Sequence, residues 1–492
     1  MAKSWMGLIG VFLLVLAIRL IFAFQTPYFT SDDAYLHVRY VEHVLATGKP
    51  LWDDALGYGG RTLVLSPVFD YILAFFALFF NLTIALKVIP NIFAALIVFP
   101  AYLISFRLVK TRWIALFCSL LAGFVPVFFS QTFNQVSPLS IAVPLFFFLI
   151  YAWLRAPKRS WVFIFLAGLL LLVFLHPLSL VLVLSIGVYA ALARVVRFEQ
   201  SLAELELSLF SLFFAIWAQF LLYKKLILFH GPAVIWQNIP KQLLSAHFAQ
   251  FSILGAIWKT GVLPLICGTY VLYKFVFRQH ERDIYVLFSF TASVFVLLWA
   301  RLIDISDGLM LLGILLVLVF SKWLVLFLNF VRQSKASKWE WVARVACIVL
   351  ILLTSVVPAL TEAKSELSKT ISPEEMEVFE WIKQNTPQNA TIVAPVNYGN
   401  YITALGERKN VIDSYFLLRR RANERLVDTE RIYRTVLETE TVSLMDKYSA
   451  SYILIPIGMK DLGFASPCFK RVYEKRVRIY EKNPECHVRV VS

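Results

Sequence analysis

Two adjacent carboxylates open a helix-like segment directly after the first hydrophobic run of the chain. The segment reads Ser31-Asp32-Asp33-Ala34-Tyr35-Leu36-His37-Val38-Arg39. Acidic side chains at a bilayer surface help neither insertion nor packing, so they require a chemical explanation. A carboxylate placed there can orient or deprotonate an acceptor hydroxyl or amide. The alternative is that Ser31, Asp32 and Asp33 only cap the helix and satisfy its free amides.

Three basic side chains are further candidates. His37 lies four residues after Asp33, on the same helix face, and could bind phosphate or a metal; an interfacial histidine facing water is the alternative. Arg61 follows a Gly-Gly turn whose amides can approach an anion, although an ordinary loop arginine fits as well. Arg301 lies at the outer end of the ninth hydrophobic run. An arginine at a membrane boundary is often a snorkelling side chain, although a lone cation is unusual on the outer side.

The composition indicates that most of the chain faces lipid. Of 492 residues, 59% are hydrophobic and only 16% are charged. A soluble protein of this size could not bury so much apolar surface. The net charge of +15 would suggest nucleic acid in a soluble protein. Here the basic residues lie mostly in short loops between apolar runs, which indicates anionic membrane lipids as partners and argues against nucleic-acid binding.

Apolar runs predict a polytopic α-helical membrane protein with about 11 transmembrane helices. The predicted spans are 5–24, 84–106, 112–130, 138–154, 160–175, 177–195, 205–223, 252–273, 283–300, 308–330 and 339–360. Segment 64–82 is apolar too, but it is short and carries Pro67 and Asp70. The basic loops all fall on one side only if this segment does not cross. We therefore expect an interfacial or re-entrant helix within an external loop, 25–83, of a transmembrane domain, 1–363. The N-terminus is then cytoplasmic.

After residue 363 the chain becomes richly charged and predicts a separate domain. Residues 364–492 alternate helix-like and strand-like patterns, with Ser372 as a helix cap and short buried strands at 392–394 and 452–455. Eleven spans place this mixed α/β domain outside the cytoplasm. Cys468 and Cys486 lie within it and could form one disulfide in an oxidising compartment, although neither their number nor their spacing proves it.

Several of these segments together resemble one family of membrane enzymes. Asp33, Tyr35 and Arg39 fit an Asp-x-Tyr/Trp-x-x-x-Arg element in the first external loop of the catalytic oligosaccharyltransferase subunit. The runs around Trp52-Asp53-Asp54, Tyr58-Gly59-Gly60-Arg61 and Pro67-Val68-Phe69-Asp70-Tyr71 are similar to the same loop. Trp381-Ile382-Lys383-Gln384-Asn385-Thr386-Pro387 and the run from Asn397-Tyr398-Gly399 to Gly406 resemble the entry to its soluble domain.

The resemblance implies a GT-C membrane glycosyltransferase. Such an enzyme takes a sugar or glycan from a polyprenyl or dolichyl phosphate or pyrophosphate and transfers it to an extracytoplasmic protein, lipid or glycan. With this likeness Asp33 is the first catalytic candidate and Asp32 the second. The family has an arginine near the position of Arg301, which makes Arg301 a candidate phosphate or acceptor ligand. His37 and Arg61, for the reasons of position given above, are the other candidate donor-phosphate ligands. Asn397, Tyr398 and Gly399 fall in the acceptor region. A divalent cation, Mg²⁺ or Mn²⁺, would have Asp33 as a ligand.

Two departures from the family pattern change the expected chemistry. The family's Trp-Trp-Asp-Tyr-Gly acceptor motif reads Pro395-Val396-Asn397-Tyr398-Gly399 here. The acidic metal motif of the next external loop is replaced by Gln131-Thr132-Phe133-Asn134-Gln135-Val136-Ser137. Without a second charged ligand a hard cation is held weakly. An acceptor other than sequon asparagine is therefore at least as consistent with the sequence. A non-catalytic paralogue that binds lipid-linked glycan or scaffolds other enzymes is the alternative, and a transporter is a third.

Overall fold

A computed structural model describes residues 2–57, 59–63, 66–156, 158–230, 252–335, 337–418 and 421–487. The chain packs into two compact units. The first takes its residues from 1–27, 79–222 and 244–368, and the second from 28–78, 223–243 and 369–492. Most of the predicted loop 25–83 therefore belongs to the same unit as the C-terminal segment.

Helices account for most of the described chain, and strands are short. The helices are α1 (Ala2–Ala23), α2 (Asp32–Thr47), α3 (Val68–Ala77), α4 (Leu82–Ala95), α5 (Val98–Val109), α6 (Arg112–Gly123), α7 (Pro126–Thr132), α8 (Leu139–Leu154), α9 (Arg159–Leu175), α10 (Leu178–Val196), α11 (Leu202–Leu222), α12 (Lys224–His230), α13 (Ile253–Thr260), α14 (Val262–Lys274), α15 (Arg282–Trp299), α16 (Ile305–Gln333), α17 (Glu340–Ile351), α18 (Val357–Leu367), α19 (Pro373–Asn385), α20 (Gly399–Ala404), α21 (Ala422–Arg434) and α22 (Glu438–Lys447). The strands are β1 (Asp53–Asp54), β2 (Arg61–Thr62), β3 (Thr391–Val393), β4 (Lys409–Asn410), β5 (Tyr452–Ile455), β6 (Phe469–Glu474) and β7 (Arg478–Lys482).

Apolar helices of membrane-spanning length dominate the first unit. Seven helical segments of the described chain are long and apolar enough to cross a bilayer. Two bent pairs, α6 with α7 and α13 with α14, pass the same test when each is taken as one span. The predicted spans at 138–154 and 160–175 correspond to α8 and α9, which have 16 and 17 residues. The chain is therefore a multi-pass membrane protein, and the count of eleven stays a prediction.

A buried arginine ties three helices of the first unit together. The Arg19 side chain, fully buried in α1, donates to Asn91 Oδ1 of α4 at 3.0 Å and to Thr132 Oγ1 of α7 at 2.5 Å. Its guanidinium also lies 5.1 Å from the centre of the Phe129 ring. Polar groups within a membrane must be satisfied by the protein itself, so these contacts fix the packing of the three helices.

Segment 64–82 forms a helix too short to cross a bilayer. Helix α3 has 10 residues, which span about 15 Å at 1.5 Å per residue. The hydrocarbon core is about 30 Å thick. One face of α3 buries Phe69, Asp70 and Leu73, whereas Tyr71 and Phe75 are exposed. The length and the two faces of α3 support the expected non-crossing helix.

A five-stranded mixed sheet forms the centre of the C-terminal part of the second unit. Its strand order is β4-β3-β5-β7-β6. Strand β3 pairs in parallel with β4 and β5, while β7 runs antiparallel to β5 and β6. Val393, Ile453 and Met445 belong to the apolar core. Ser372 caps α19 in a capping box with Glu375, as the sequence predicted.

One disulfide, between Cys468 and Cys486, closes the end of this sheet. The backbone amide of Asn483 donates to the Cys468 carbonyl at 2.8 Å, which holds the segment after β7 beside the start of β6. A disulfide is typical of proteins exposed to an oxidising compartment. The disulfide that the sequence left open is therefore formed, while the external location of this domain stays a prediction.

Candidate functional site

Helix α2 is capped by a serine, which leaves the two carboxylates at its start for other contacts. Ser31 has extended backbone geometry, and its Oγ accepts a hydrogen bond from the Asp33 amide at 3.1 Å. The side chains of Asp32 and Asp33 contact the C-terminal segment of the same unit instead. The capping explanation therefore holds for Ser31 but does not account for either carboxylate.

The Asp32 carboxylate caps another helix. Its Oδ1 accepts the backbone amides of Asn400 and Tyr401, at 3.0 and 3.1 Å, in the first turn of α20. Its Oδ2 accepts the Asn400 side-chain amide at 2.7 Å. A carboxylate at a helix N-terminus satisfies free amides and complements the helix dipole. These contacts give Asp32 a structural role in joining α2 to α20.

The Asp33 carboxylate has a different partner, a hydroxyl. Ser414 Oγ donates to Asp33 Oδ1 in a short hydrogen bond. The Asp33 side chain is half-buried. Burial raises the pKa of the Asp33 carboxyl, while the hydrogen bond from Ser414 and the charge of His37 oppose that rise. General-base catalysis requires a carboxylate within hydrogen-bond reach of a hydroxyl proton and benefits from a raised pKa, and Asp33 has both features.

His37 is buried and pairs with Asp70 of α3. Its Nδ1 lies 2.6 Å from Asp70 Oδ1, and its ring meets Phe69 edge-on at 5.2 Å between centroids. Burial disfavours the charged imidazole, but the Asp70 carboxylate outweighs it and raises the pKa of His37. The contact between His37 and Asp70 joins α2 to α3. Its predicted contact with donor phosphate stays a prediction.

A ladder of buried charges connects α2, the β1–β2 hairpin and the C-terminal segment. Arg39 Nη2 donates to Asp54, and Arg61 Nε donates to Asp54 Oδ2 at 2.8 Å. Arg61 Nη1 then donates to Asp413 Oδ1 at 2.6 Å. Although burial acts in the other direction, Arg39 and Arg61 lower the pKa of Asp54. The Arg61 side chain is only 1% exposed. The contacts of Arg61 are those of a structural clamp and give no support to its predicted role on donor phosphate.

The predicted acceptor region supplies one steric requirement. Gly399 begins α20, and a Cβ on it would lie less than 3.0 Å from the Ile412 carbonyl oxygen and from Asp413 Cβ. Asn397 is exposed, and the Tyr398 hydroxyl donates to Glu375 Oε1 at 2.6 Å. Gly399 thus allows α20 to approach the segment that carries Asp413. The role of these three residues in acceptor binding stays a prediction.

Arg301 belongs to the first unit, in the turn between α15 and α16. Its side chain is exposed, and its backbone φ is 58°. The other candidate residues belong to the second unit. Its assignment as a phosphate or acceptor ligand stays a prediction.

The residues at the start of α2 do not fit a tightly held divalent cation. In the part of the chain that the structure describes, no three His, Cys, Asp or Glu side chains form a group suited to a metal. Both oxygens of Asp32 already accept N–H groups. Mg²⁺ and Mn²⁺ prefer several oxygen ligands, with carboxylates among them. The contacts of Asp32 and Asp33 therefore give no support to the cation expected at Asp33.

Four residues near the carboxylates were not predicted from the sequence. Asn400, Asp413 and Ser414 contact Asp32, Arg61 and Asp33 respectively. Burial, followed by the negative charge of nearby carboxylates with Asp33 first, raises the pKa of the Tyr415 phenol. The one available signal is that Asp413-Ser414 directly follows the apolar pair Val411-Ile412, as polar residues at a strand end do.

Breaking the Arg61 clamp should destabilise the second unit. Arg61→Met leaves the buried Asp54 and Asp413 without their shared cation, so we expect a loss of about 3–5 kcal/mol. Lys383→Met is the matched control, because its pair with Glu407 is about half exposed on both sides and should contribute at most about 1 kcal/mol. Denaturant unfolding of the two variants measures the difference. Equal losses would contradict the clamp.

Adding one methyl group at Gly399 should separate α20 from its neighbours. In Gly399→Ala the new Cβ meets a backbone carbonyl that cannot rotate away, so we expect destabilisation of about 3 kcal/mol. Gly187→Ala is the control, since nothing lies within 4 Å of a Cβ there. Thermal unfolding of the detergent-solubilised chains checks this. An unchanged midpoint for Gly399→Ala would show that the close approach is not needed.

Solved structures share this fold. The crystal structure of the Archaeoglobus fulgidus oligosaccharyltransferase in the apo form matches 92% of this chain and 70% of its own, with a TM-score of 0.68 at 14% identity. ArnT from Cupriavidus metallidurans bound to undecaprenyl phosphate matches 99% of this chain and 100% of its own, with a TM-score of 0.52 at 11% identity. The match to the arabinofuranosyltransferase AftD from mycobacteria covers 96% of this chain and 40% of AftD, with a TM-score of 0.52 at 13% identity.

The archaeal oligosaccharyltransferase has also been solved with bound ligands. An oligosaccharyltransferase AglB from Archaeoglobus fulgidus, similar at a TM-score of 0.66, was solved with an inhibitory peptide and a dolichol-phosphate. No protein-family model matches the chain, and no curated protein is similar to it in sequence. Identities of 11–14% show the fold alone. The fold that the sequence predicted is confirmed: this chain has the architecture of the GT-C membrane glycosyltransferases.

Proposed function

We propose that this chain is a glycosyltransferase that uses a lipid-linked donor. It takes a sugar or glycan from a polyprenyl or dolichyl phosphate or pyrophosphate and transfers it to an extracytoplasmic acceptor. The N-terminus lies in the cytoplasm and the C-terminal domain outside it, as the distribution of basic loops indicates. The neighbours with the same fold support the donor class, because one was solved with a dolichol-phosphate and another with undecaprenyl phosphate.

The observation that carries the proposal is the difference between the two carboxylates at the start of α2. Asp32 accepts three N–H donors of α20 and has only a long contact, 3.4 Å, with Ser414 Oγ. Asp33 accepts an O–H instead, and in the described residues no lysine or arginine pairs with either carboxylate. A carboxylate that accepts a hydrogen bond from a hydroxyl and has no ion-pair partner is suited to general-base catalysis. Asp33 is therefore the proposed base.

The remaining charges position this base. The His37–Asp70 pair joins α2 to α3. The contacts of Asp54 with Arg39 and Arg61 join α2 to the β1–β2 hairpin. When the acceptor attacks the anomeric carbon, its proton passes to Asp33 and the donor phosphate leaves with the bonding electrons.

Loss of the Asp33 carboxylate should abolish turnover. Asp33→Asn keeps the size of the side chain but cannot accept a proton, so we expect kcat to fall by about 10²–10⁴-fold. Asp53→Asn, an exposed carboxylate on β1, is the matched control and should retain activity. The assay uses the purified chain in nanodiscs with dolichyl phosphate mannose and a panel of acceptors. Donor binding without turnover by the wild type would favour the non-catalytic paralogue.

The acid side of the pH profile should report the raised pKa of Asp33. As the pH falls through that pKa, the base is protonated and kcat/KM decreases. The decrease should therefore begin above the ordinary aspartate pKa of about 3.9. His37→Asn removes a positive charge that lowers the pKa of Asp33, so the acid limb should move to higher pH. His43→Asn, on the same helix, is the control. A shift to lower pH in His37→Asn would contradict the assignment.

A further inference from the structure

A cavity of about 1060 Å³ lies within the second unit, at the edge of the sheet where the parallel strands begin. Thr391 starts β3, Lys409 starts β4 and Tyr452 starts β5, and all three line the cavity. Ser414, the partner of Asp33, follows the end of β4 and is not among the lining residues. The cavity is therefore separate from the contacts of the proposed base.

The walls of this cavity are held in place by the fold. The Lys482 amide donates to the Ser451 carbonyl at 2.8 Å, which joins the end of β7 to the start of β5. Pro484 and His487 line another wall. The disulfide of Cys486 ties that segment to the start of β6. Because the walls are already connected, a ligand would bind here with little ordering of the protein.

The two carboxylates that line the cavity already have partners. Asp446 pairs with Lys482, and its Oδ1 lies 3.2 Å from His487 Nδ1. The Tyr452 hydroxyl donates to Glu481 Oε1 at 2.7 Å. Carboxylates that are occupied in this way offer little to a further cation. The cavity is therefore poorly suited to a metal ion or to a basic peptide.

Lys409 differs from the other charged side chains of the cavity. It is half-buried, and no carboxylate of the described chain pairs with its ammonium group. An ammonium group has three donors and no acceptor. Hydrogen bonds from such a group are strongest when the accepting oxygen is negatively charged. Lys409 therefore favours a ligand that carries an anionic oxygen.

Three neutral polar side chains, those of Asn389, Ser449 and Ser451, complete the polar lining. Within the part of the chain that the structure describes, none of these side chains has a hydrogen-bond partner. Each can both donate and accept a hydrogen bond, as the hydroxyl groups of a sugar can. Pockets for apolar ligands are instead lined mainly by hydrophobic side chains. The neutral side chains therefore suit a carbohydrate.

We propose that this cavity is a non-catalytic site for an acidic oligosaccharide. Lys409 binds the carboxylate of one sugar, and the three neutral side chains bind sugar hydroxyls. The inference goes beyond the proposed function, because binding here needs neither a donor nor the Asp33 carboxylate. It can therefore be tested, and can fail, without any change in the glycosyl-transfer result.

Direct binding tests the site with two labelled tetrasaccharides. One alternates glucuronic acid with N-acetylglucosamine, and the other contains N-acetylglucosamine alone. Fluorescence polarisation would be measured with the full chain in nanodiscs. The acidic tetrasaccharide should bind about tenfold more tightly, because only it gives Lys409 a charged partner. Lys409→Gln should remove this advantage and leave the neutral tetrasaccharide unchanged. Lys470→Gln is the matched control, since Lys470 is exposed on β6 and does not line the cavity.

A second variant blocks the cavity instead of changing its charge. Ser451→Trp places a large side chain there from an exposed position, so binding of both tetrasaccharides should fall to background. Thermal unfolding shows whether this variant is folded, and Lys409→Gln decides the test if it is not.

Four results would overturn the proposal. They are no binding of the acidic tetrasaccharide, equal affinity of the wild type for both tetrasaccharides, equal affinities in Lys409→Gln and Lys470→Gln, and full binding by folded Ser451→Trp. A labelled tetraglutamate peptide is the last comparison. If it binds as tightly as the acidic tetrasaccharide, the cavity recognises acidic peptides and the assignment to a carbohydrate is wrong.

Discussion

The guanidinium of Arg61 is the charge on which the polar interior of the second unit depends. It is the shared partner of Asp54 in the β1–β2 hairpin and Asp413 in the C-terminal segment. Burying a carboxylate without a cation costs several kcal/mol. Asp54 also accepts from Arg39, whereas Asp413 receives its cation from the hairpin through Arg61. Once the clamp is formed, the residues next to Asp413 are also placed. Ser414 then lies beside Asp33, and Asn410 donates to Asp413 Oδ2 at 3.1 Å.

The carboxylates of this region differ by the kind of partner that each one has. Asp54 and Asp413 accept from guanidinium groups, Asp70 from an imidazole, and Asp32 from amides of α20. Those partners stabilise an ionised carboxylate and occupy its lone pairs. Asp33 has the Ser414 hydroxyl as its partner. The proposed role of Asp33 and the structural role of Asp32 therefore rest on different contacts, even though the two residues are adjacent in the chain.

Local features of the fold were predictable from the sequence because their causes are local. Apolar runs of sufficient length predicted the helices of the first unit, and Ser372 with Glu375 predicted the start of α19. The short length and polar residues of segment 64–82 indicated a helix that does not cross. The candidate site was predicted only in part. Asp33 was selected from its spacing with Tyr35 and Arg39, but its partner Ser414 lies 381 residues away along the chain.

The sequence by itself determined that this is a multi-pass membrane protein with two carboxylates directly after its first hydrophobic run, and its resemblance to one family predicted the GT-C architecture. Hydropathy and charge distribution act over the length of one helix, so they can be read from neighbouring residues. Only the tertiary structure decided that Ser31 caps α2, that Asp32 caps α20 and that Arg61 is a buried clamp. The reason is that a carboxylate looks the same in sequence whichever partner it has. Its function depends on the hydrogen-bond donors that folding brings to it from distant segments.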